Sequence, residues 1–577
     1  MLKPPDANPG AVKQSTLADF SQRITASLSP PIHAGCFVVV DGFISHPMIS
    51  AGAIGHRAFQ LSIAVRSLER STLVVLPTGL GKTVIAALVA ADILNHGPGK
   101  IIFLAPTKPL AQQHMQSFGR LIAGNPVMNL FTGSIPAKKR KSLWSSTRIV
   151  FATPQGIRND IEHGRYGLEE VALVIFDEAH RSVGDYAYVA IANRYREQRK
   201  NPLVLALTAS PGSETEKIDE VVRNLGIAHV EARSDEDPDV IPYIQETAVH
   251  WRKVRLSTYM VRARRAFDEA FTDHTNKLKR FGFMRHRKKG TIVSKKDIIG
   301  AGQAIMGRMK AGGRGKGALF GALYHQTISL HIANCLELLE TQGVEPTLAY
   351  IGRLRSDEKP KRSVKAFLKD ENVLRAFEHL EEHKGVSHPK VDALLAAVKE
   401  QFARNTGSLV IVFSQYRDTI TGLTESLRSA GYSVERFVGQ SDRKEDSGLS
   451  QAEQAEILAR FSRREFSVLV ASQVAEEGLD IPAVDLVVFY EPIPSAIRAI
   501  QRRGRTGRSE SGRVEVLVTK DSRDEAFLYA GMGREKKMRK IVKKMASGEI
   551  ASPRKKRLPS KTTLPGNEPP RSKLRGI

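Results

Sequence analysis

Short, continuous apolar runs recur along the chain, each followed by a segment of helical periodicity. Leu73–Leu76, Ile101–Leu104, Val171–Phe176 and Leu203–Leu207 occupy the first half; Leu409–Phe413 and Val468–Ala471 occupy the second. Each is too short for a helix and lacks the alternation of a half-exposed strand. Such runs predict strands covered on both faces, as in a parallel sheet wrapped by helices. Between about residues 240 and 385 these runs are scarce and helical periodicity dominates, for example in Ala318–Leu339 and Val364–His383. The expected fold class is α/β, with two doubly wound parallel-sheet lobes and a mainly helical insertion domain between them.

The pattern divides the chain as follows. Residues 1–35 form a Pro- and Ser-containing tail without a fixed fold, 36–235 the first lobe and 236–386 the insertion. Residues 387–530 form the second lobe and 531–577 a basic helical or disordered tail. Pro389, in Ser387-His388-Pro389-Lys390, is suited to start the first helix of the second lobe. A chain of 577 residues holds roughly three to four domains at about 150 residues each.

Composition narrows the setting. Cys36 and Cys335 are the only cysteines, too few for a disulfide framework or a Cys-based zinc site, and a reducing compartment is expected. No apolar run approaches a membrane span, and the N-terminus lacks the apolar core of a secretory signal. A cytoplasmic protein associated with the nucleoid is expected, with no membrane partner.

Charge points to a polyanion. The net charge is +26, and it is concentrated. Asn276–Gly317 carries thirteen Lys/Arg against one acid, and Arg534–Ile577 carries fifteen against three. Two such blocks suit a nucleic-acid backbone, with a solubilising face as the plainer alternative. Lys288, Lys289, Lys295, Lys296 and Arg314 are the candidate phosphate contacts of the insertion.

The candidate chemistry begins where the first strand ends. Leu76-Pro77-Thr78-Gly79-Leu80-Gly81-Lys82-Thr83 runs from strand into helix through two glycines. Glycines allow backbone N–H groups to turn toward phosphates, and the helix N-terminus adds its dipole. Lys82 reaches the β- and γ-phosphates of ATP, and the Thr83 hydroxyl is a ligand for Mg²⁺. Asp177 and Glu178 follow the strand Val171–Phe176. Asp177 meets the same Mg²⁺, and Glu178 orients and deprotonates the attacking water. Thr107, Lys108, Thr132, Gly133 and Thr153 stand after strands, where small donors and a Lys can hold a nucleic-acid backbone. Ser414 and Gln415 are read in the same way after Leu409–Phe413.

Leu76 stands where the general phosphate-loop pattern has Gly, and Pro77–Thr83 is the form used by superfamily 2 helicases. PTGLGKT, DEAH (Asp177–His180) and TAS (Thr208–Ser210), in this order and spacing, resemble the first RecA-like lobe of such a helicase. The resemblance implies that Gln60 reads the adenine edge, with Arg57 placed to cover the ring. It implies that His180, Thr208 and Ser210 couple the nucleotide site to the other motifs. In the second lobe, Gly478 and Asp480 match the residues that touch the nucleotide. Gln501 senses the γ-phosphate, and Arg505 and Arg508 match arginine fingers that stabilise transition-state charge.

Arg436–Gln440, Gly448–Gln451, Glu476–Pro492 and Ile500–Arg508 narrow the resemblance to the archaeal Hef helicase–nuclease and the Fanconi anaemia group M translocase, over about residues 45 to 530. It implies action on branched DNA such as forks and Holliday junctions, in repair and replication restart. No paired-acid nuclease constellation follows the second lobe, so no intrinsic cleavage is expected, and a separate nuclease is a candidate partner. Gln14–Ser21 resembles a PCNA sliding-clamp peptide, although Ser21 stands where the second aromatic belongs. A short amphipathic turn is the alternative there. An RNA-directed relative and a non-enzymatic junction-binding scaffold remain as other readings.

Overall fold

The computed structural model describes residues 36–212, 214–234, 236–243, 249–284, 293–311, 316–439, 448–472, 484–492 and 513–546. The apolar runs of the first half become β3 (Thr72–Val75), β4 (Lys100–Leu104), β7 (Val171–Phe176) and β8 (Val204–Thr208). They are joined by β5 (Met128–Phe131), β6 (Ile149–Ala152) and β9 (His229–Ala232) in one sheet of order β5-β6-β4-β7-β8-β3-β9. Every pairing in it is parallel. Successive side chains feed opposite cores: Val74, Ile101, Phe103, Leu173 and Leu205 pack on one face. Leu73, Ile102, Leu104, Val174 and Val204 pack on the other. This accounts for runs that never alternate.

Ahead of this lobe, β1 (Val38–Val40) and β2 (Phe43–Ser45) form an antiparallel hairpin. It turns at Asp41 and Gly42, whose φ angles of 50° and 79° fit the turns that match strand twist.

The second sheet has the order β10-β15-β14-β11-β13-β12 and is also parallel throughout. Its strands are β10 (Val249–Val254), β11 (Val410–Ser414), β12 (Val434–Phe437), β13 (Val468–Ser472), β14 (Leu486–Phe489) and β15 (Arg513–Thr519). β10 departs from the expected division. It falls within 236–386 yet pairs along its length with β15. As an edge strand it is only half-buried and reads Val-His-Trp-Arg-Lys-Val, without a continuous apolar run. Arg252 from β10 reaches the buried Glu515 of β15.

The insertion proper is a helical bundle. Helices Thr258–Arg280, Lys295–Lys310, Lys316–Thr341, Val344–Arg355, Arg362–Lys369 and Glu371–Glu381 enclose Phe267, Ile332, Leu336, Phe367 and Leu380. Ser294 and Asp297 form a reciprocal cap at the start of Lys295–Lys310. The second lobe opens with helix Pro389–Arg404, with His388 accepting from the Lys390 amide as its cap.

The last described helix, Arg523–Ala546, runs through the expected boundary at 530. Its first turn is tied to the insertion and the second lobe, through Arg523–Glu340 (2.6 Å) and a buried Asp524–Lys390 ion pair. Its far end packs Met538, Ile541, Val542 and Met545 into a core of the first lobe. Arg539 and Lys543 there reach Glu236 at 2.8 and 2.7 Å. No helix among the described residues is long and apolar enough to cross a membrane.

Candidate nucleotide and nucleic-acid site

The carboxyl edge of the first sheet gathers the sequence-derived candidates. The Leu76 amide donates to Thr208 O at 3.0 Å, joining the ends of β3 and β8. The loop then turns through Gly79 (φ 85°) and Gly81 (φ 82°) into helix Lys82–His96. Lys82 Nζ donates to Leu76 O at 3.1 Å, across the mouth of the loop. Gln60, buried on helix Ala58–Glu69, donates from Nε2 to Leu80 O at 2.9 Å. A methyl group on Gly81 would collide with that same nitrogen, and its left-handed backbone also favours glycine. The bond to Leu80 O uses one of the two N–H groups of the Gln60 amide. Arg57 lies 5.2 Å over the ring of Tyr243, an aromatic neighbour from a distant part of the chain.

Asp177 follows β7, and its amide donates to Leu104 O at 2.9 Å. Burial pushes its carboxyl up, but the His114 hydrogen bond and the Lys82 charge outweigh this and hold it below the usual carboxylate value. His114 Nε2 lies 3.0 Å from Asp177 Oδ2, and its Nδ1 lies 3.4 Å from Thr83 Oγ1. A carboxylate and a hydroxyl brought to one buried imidazole make an all-oxygen donor pair that fits a hard cation such as Mg²⁺. Glu178 has left-handed backbone (φ 49°, ψ 48°). Strained backbone of this kind in a non-glycine residue clusters at functional sites. His180 Nδ1 stands 3.3 Å from Glu178 Oε2 and 3.2 Å from Thr208 Oγ1, bringing three of the expected residues together. The buried Tyr188 hydroxyl sits 2.8 Å from Asp177 O and 3.2 Å from Leu104 O.

The other half of the edge, β4, β6 and β5, carries the nucleic-acid candidates. Thr107 and Thr153 begin helices Lys108–Leu121 and Pro154–Glu162, and neither hydroxyl caps its helix. Thr107 is exposed, and Lys108 and Thr153 are half-buried. Gly133 is exposed with open space above it. Thr132 does not fit the expected contact: it is buried, and its hydroxyl meets Ser134 Oγ at 2.9 Å. The cause is Arg140, which donates to Thr132 O at 3.2 Å and forks onto the buried Asp160 with two bonds of 2.6 Å.

Ser414 is a second correction. It is fully buried and donates to Glu491 Oε1 at 2.9 Å, so no backbone phosphate can reach it. The exposed Gln415 is held by its amide, which donates to Glu491 Oε2 at 3.1 Å. Gln342 from the insertion donates to the same carboxylate at 2.8 Å. Burial pushes Glu491 up to about 7, against the lowering charge of Lys390. Lys295 pairs with Glu337 at 3.0 Å, which turns that cation toward the protein, while Lys296 is exposed. Ser210 is exposed, with its hydroxyl 3.3 Å from Met538 Sδ of the last helix. Gly478, Asp480, Gln501, Arg505, Arg508, Lys288, Lys289, Arg314 and the Gln14–Ser21 peptide lie outside the described residues.

His114, Tyr188, Arg140 and Glu491 were missed from sequence. Each is placed by tertiary structure, and a lone His or Tyr inside a helix carries no local signal.

A phosphate loop and a DEAH acid pair on one parallel sheet, followed by a second sheet of the same kind, define a two-lobed ATP-dependent helicase. Family models agree: DEAD/DEAH box helicase matches residues 57–218, and helicase conserved C-terminal domain matches 389–510. A third, putative ATP-dependent RNA helicase, helical bundle, matches 260–385. The crystal structure of the Pyrococcus furiosus Hef helicase domain is 43% identical, with a TM-score of 0.65, covering 83% of this chain and 98% of that one. The chain belongs to the family of the Hef helicase domain. A putative ATP-dependent RNA helicase of Methanocaldococcus jannaschii is 38% identical over 87% of this chain and 63% of its own length. ATP-dependent DNA helicase mph1 of Neurospora crassa is 34% identical, over 82% and 41% respectively. For the Fanconi anemia group M protein of Gallus gallus the values are 32%, 84% and 26%. The chain thus spans from about a quarter to under two thirds of these curated relatives.

Proposed function

We propose that this protein is an ATP hydrolase that translocates on DNA and unwinds or remodels branched DNA, such as forks and Holliday junctions. The observation that carries the reading is the strand order β6-β4-β7. It sets the open helix starts at Thr153 and Thr107 beside Asp177 and Glu178, which supports a reading in which nucleic-acid contacts and hydrolysis share one edge. Uncapped N–H groups at a helix start suit a phosphate backbone and do not read sequence.

Lys82 and the loop amides would hold the phosphates of ATP, and Thr83 and Asp177 would hold Mg²⁺. When bound, Mg²⁺ neutralises charge developing on the transferring phosphoryl group. Glu178 takes the proton of the attacking water, with His180 linking it to Thr208. On the family pattern, Arg505 and Arg508 complete the site from the second lobe, so hydrolysis alternates the grip of the two lobes. The reading includes intracellular action at chromosomal DNA, a sliding-clamp contact through Gln14–Ser21 and a separate nuclease as partner.

A second reading, RNA as the substrate, is supported by the name of the family model on the insertion and that of the Methanocaldococcus relative. ATPase rate and strand displacement on single-stranded DNA, linear duplex, fork, four-way junction and structured RNA separate the two, with Glu178→Gln as the inactive control. Preference for fork or junction supports the first reading. Stimulation by RNA alone overturns it. Tight junction binding without ATPase supports a scaffold.

A further inference from the structure

His114 is a buried histidine on helix Lys108–Leu121 that joins two groups from different elements. Thr83 comes from the phosphate-loop helix, and Asp177 from the loop after β7. The ring is clamped against Phe103, with centroids 4.3 Å apart. Its bonding pattern is self-consistent. A carboxylate can only accept, so Nε2–H donates to Asp177 Oδ2, and in the neutral ring Nδ1 is left to accept the Thr83 hydroxyl proton. Both oxygens keep lone pairs free for a cation, and both are held in orientation by one ring.

The helix that carries His114 also begins at the proposed nucleic-acid contacts. Thr107 stands immediately ahead of it, with its hydroxyl making no cap, and Lys108 is its first residue. His114 lies six residues past Lys108, about 9 Å along the axis at 1.5 Å per residue. A rigid helix shifted or steadied at its start therefore shifts or steadies the ring.

We infer that His114 is the positioning residue through which a nucleic-acid backbone seated at Thr107 and Lys108 sets the geometry of the Mg²⁺–nucleotide site. The inference rests on the proposed reading of Thr107 and Lys108 as nucleic-acid contacts. It assigns His114 no chemistry on the reacting atoms. Helix position reaches Thr83 and Asp177 together, which links occupancy of one half of the sheet edge to cation affinity in the other.

The test uses the full chain and a fluorescent ADP analogue, titrated with Mg²⁺ in the presence and absence of a forked DNA. In the wild type, DNA lowers the Mg²⁺ concentration for half-maximal nucleotide binding. His114→Leu raises that concentration by about tenfold, the scale of losing a group that orients metal ligands, and removes the DNA effect. His114→Gln restores both, because its amide can donate to Asp177 and accept from Thr83. A His114→Leu titration that coincides with the wild type overturns the inference. So does a wild type that binds DNA by fluorescence anisotropy yet shows no DNA effect on Mg²⁺, an outcome that needs no variant to fold. The underlying reading is scored separately. Thr107→Ala/Lys108→Ala weakens DNA binding if these residues hold the backbone; unchanged DNA affinity overturns that reading and leaves the Mg²⁺ titration of His114→Leu to be judged alone.

Discussion

The Gln60 amide meets the Leu80 carbonyl at 2.9 Å, so helix Ala58–Glu69 braces the glycine-containing loop ahead of Lys82. Gln60→Glu sets a carboxylate against that carbonyl and against the Gly81 backbone. Nucleotide binding is expected to weaken by more than about tenfold, the scale of one lost charge-opposed hydrogen bond. Fluorescent ADP titration reads this, and affinity equal to the wild type would refute the bracing role.

Tyr188 supports the same site from below. Its hydroxyl serves the backbone carbonyls of Asp177 and Leu104, at the seam between the two halves of the edge. Tyr188→Phe leaves the Asp177 carbonyl short of a donor in a buried place, while the Leu104 carbonyl keeps the Asp177 amide. A stability loss of about 1–3 kcal/mol is expected in urea unfolding. A several-fold fall in kcat should accompany it, with KM for ATP held, because the hydroxyl touches no nucleotide-binding side chain. A change confined to KM would contradict this.

Arg140 and Asp160 are both buried, and the pair shapes the Thr132–Gly133 loop. Arg140→Leu removes the two-bond partner of Asp160 and leaves its carboxylate to Arg165 and the Tyr166 hydroxyl, each at 2.9 Å, so a cost of about 1–3 kcal/mol is expected. Adding Asp160→Leu should recover only part of that loss, since it removes the buried charge but takes the acceptor from Arg165 and the Tyr166 hydroxyl. Burial pushes the Asp160 carboxyl up, but Arg140 and Tyr166 hold it below its ordinary value. A depressed carboxyl contributes stability above the ordinary carboxylate range and loses it as pH falls through its folded value. The advantage of the wild type over the double variant should therefore shrink on acidification, as unfolding at pH 7 and pH 3 would reveal.

Glu491 has the opposite sign. Its carboxyl is raised from an ordinary value of 4.5 to about 7. The stability its native proton provides is full below pH 4.5 and fades as pH rises toward 7. Glu491→Gln carries no titrating proton, so Tm of the variant minus Tm of the wild type should climb between pH 5 and pH 8. His388 nearby, pushed down to about 3 by burial, is common to both proteins and cancels in the difference. A flat difference would show that Glu491 does not titrate in this window.

Much of this architecture was legible in the chain. Runs such as Val171–Phe176 became strands because neither of their faces meets water, and the loops after them had to carry the polar chemistry. What escaped shares one physical cause. β10 hid because an edge strand needs only half of its side chains apolar. Thr132 and Ser414 resemble contacts in the sequence because a small polar residue after a strand looks the same whether it faces solvent or folds inward onto Ser134 or Glu491. The Asp41-Gly42 hairpin carried a local signal and went unread. His114 carried none: its meaning arises only when helix Lys108–Leu121 lies across both Thr83 and Asp177.

The pairing of β10 with β15 also governs how the molecule can be made and divided. The ribosome releases Val249–Val254 more than 250 residues ahead of its partner Arg513–Thr519. Throughout that interval one rim of the future sheet waits as an unmatched ribbon. A fragment cut at residue 387, where the second lobe begins by sequence, would never receive it. β15 would then be a bare margin rich in valine, free to join the margin of another copy. Such a fragment should precipitate or self-associate, and supplying residues 249–254 at its N-terminus through a flexible linker should keep it monomeric. The border between the two lobes is thus a matter of inheritance as well as geometry, since the second is closed by a strand synthesised with the first.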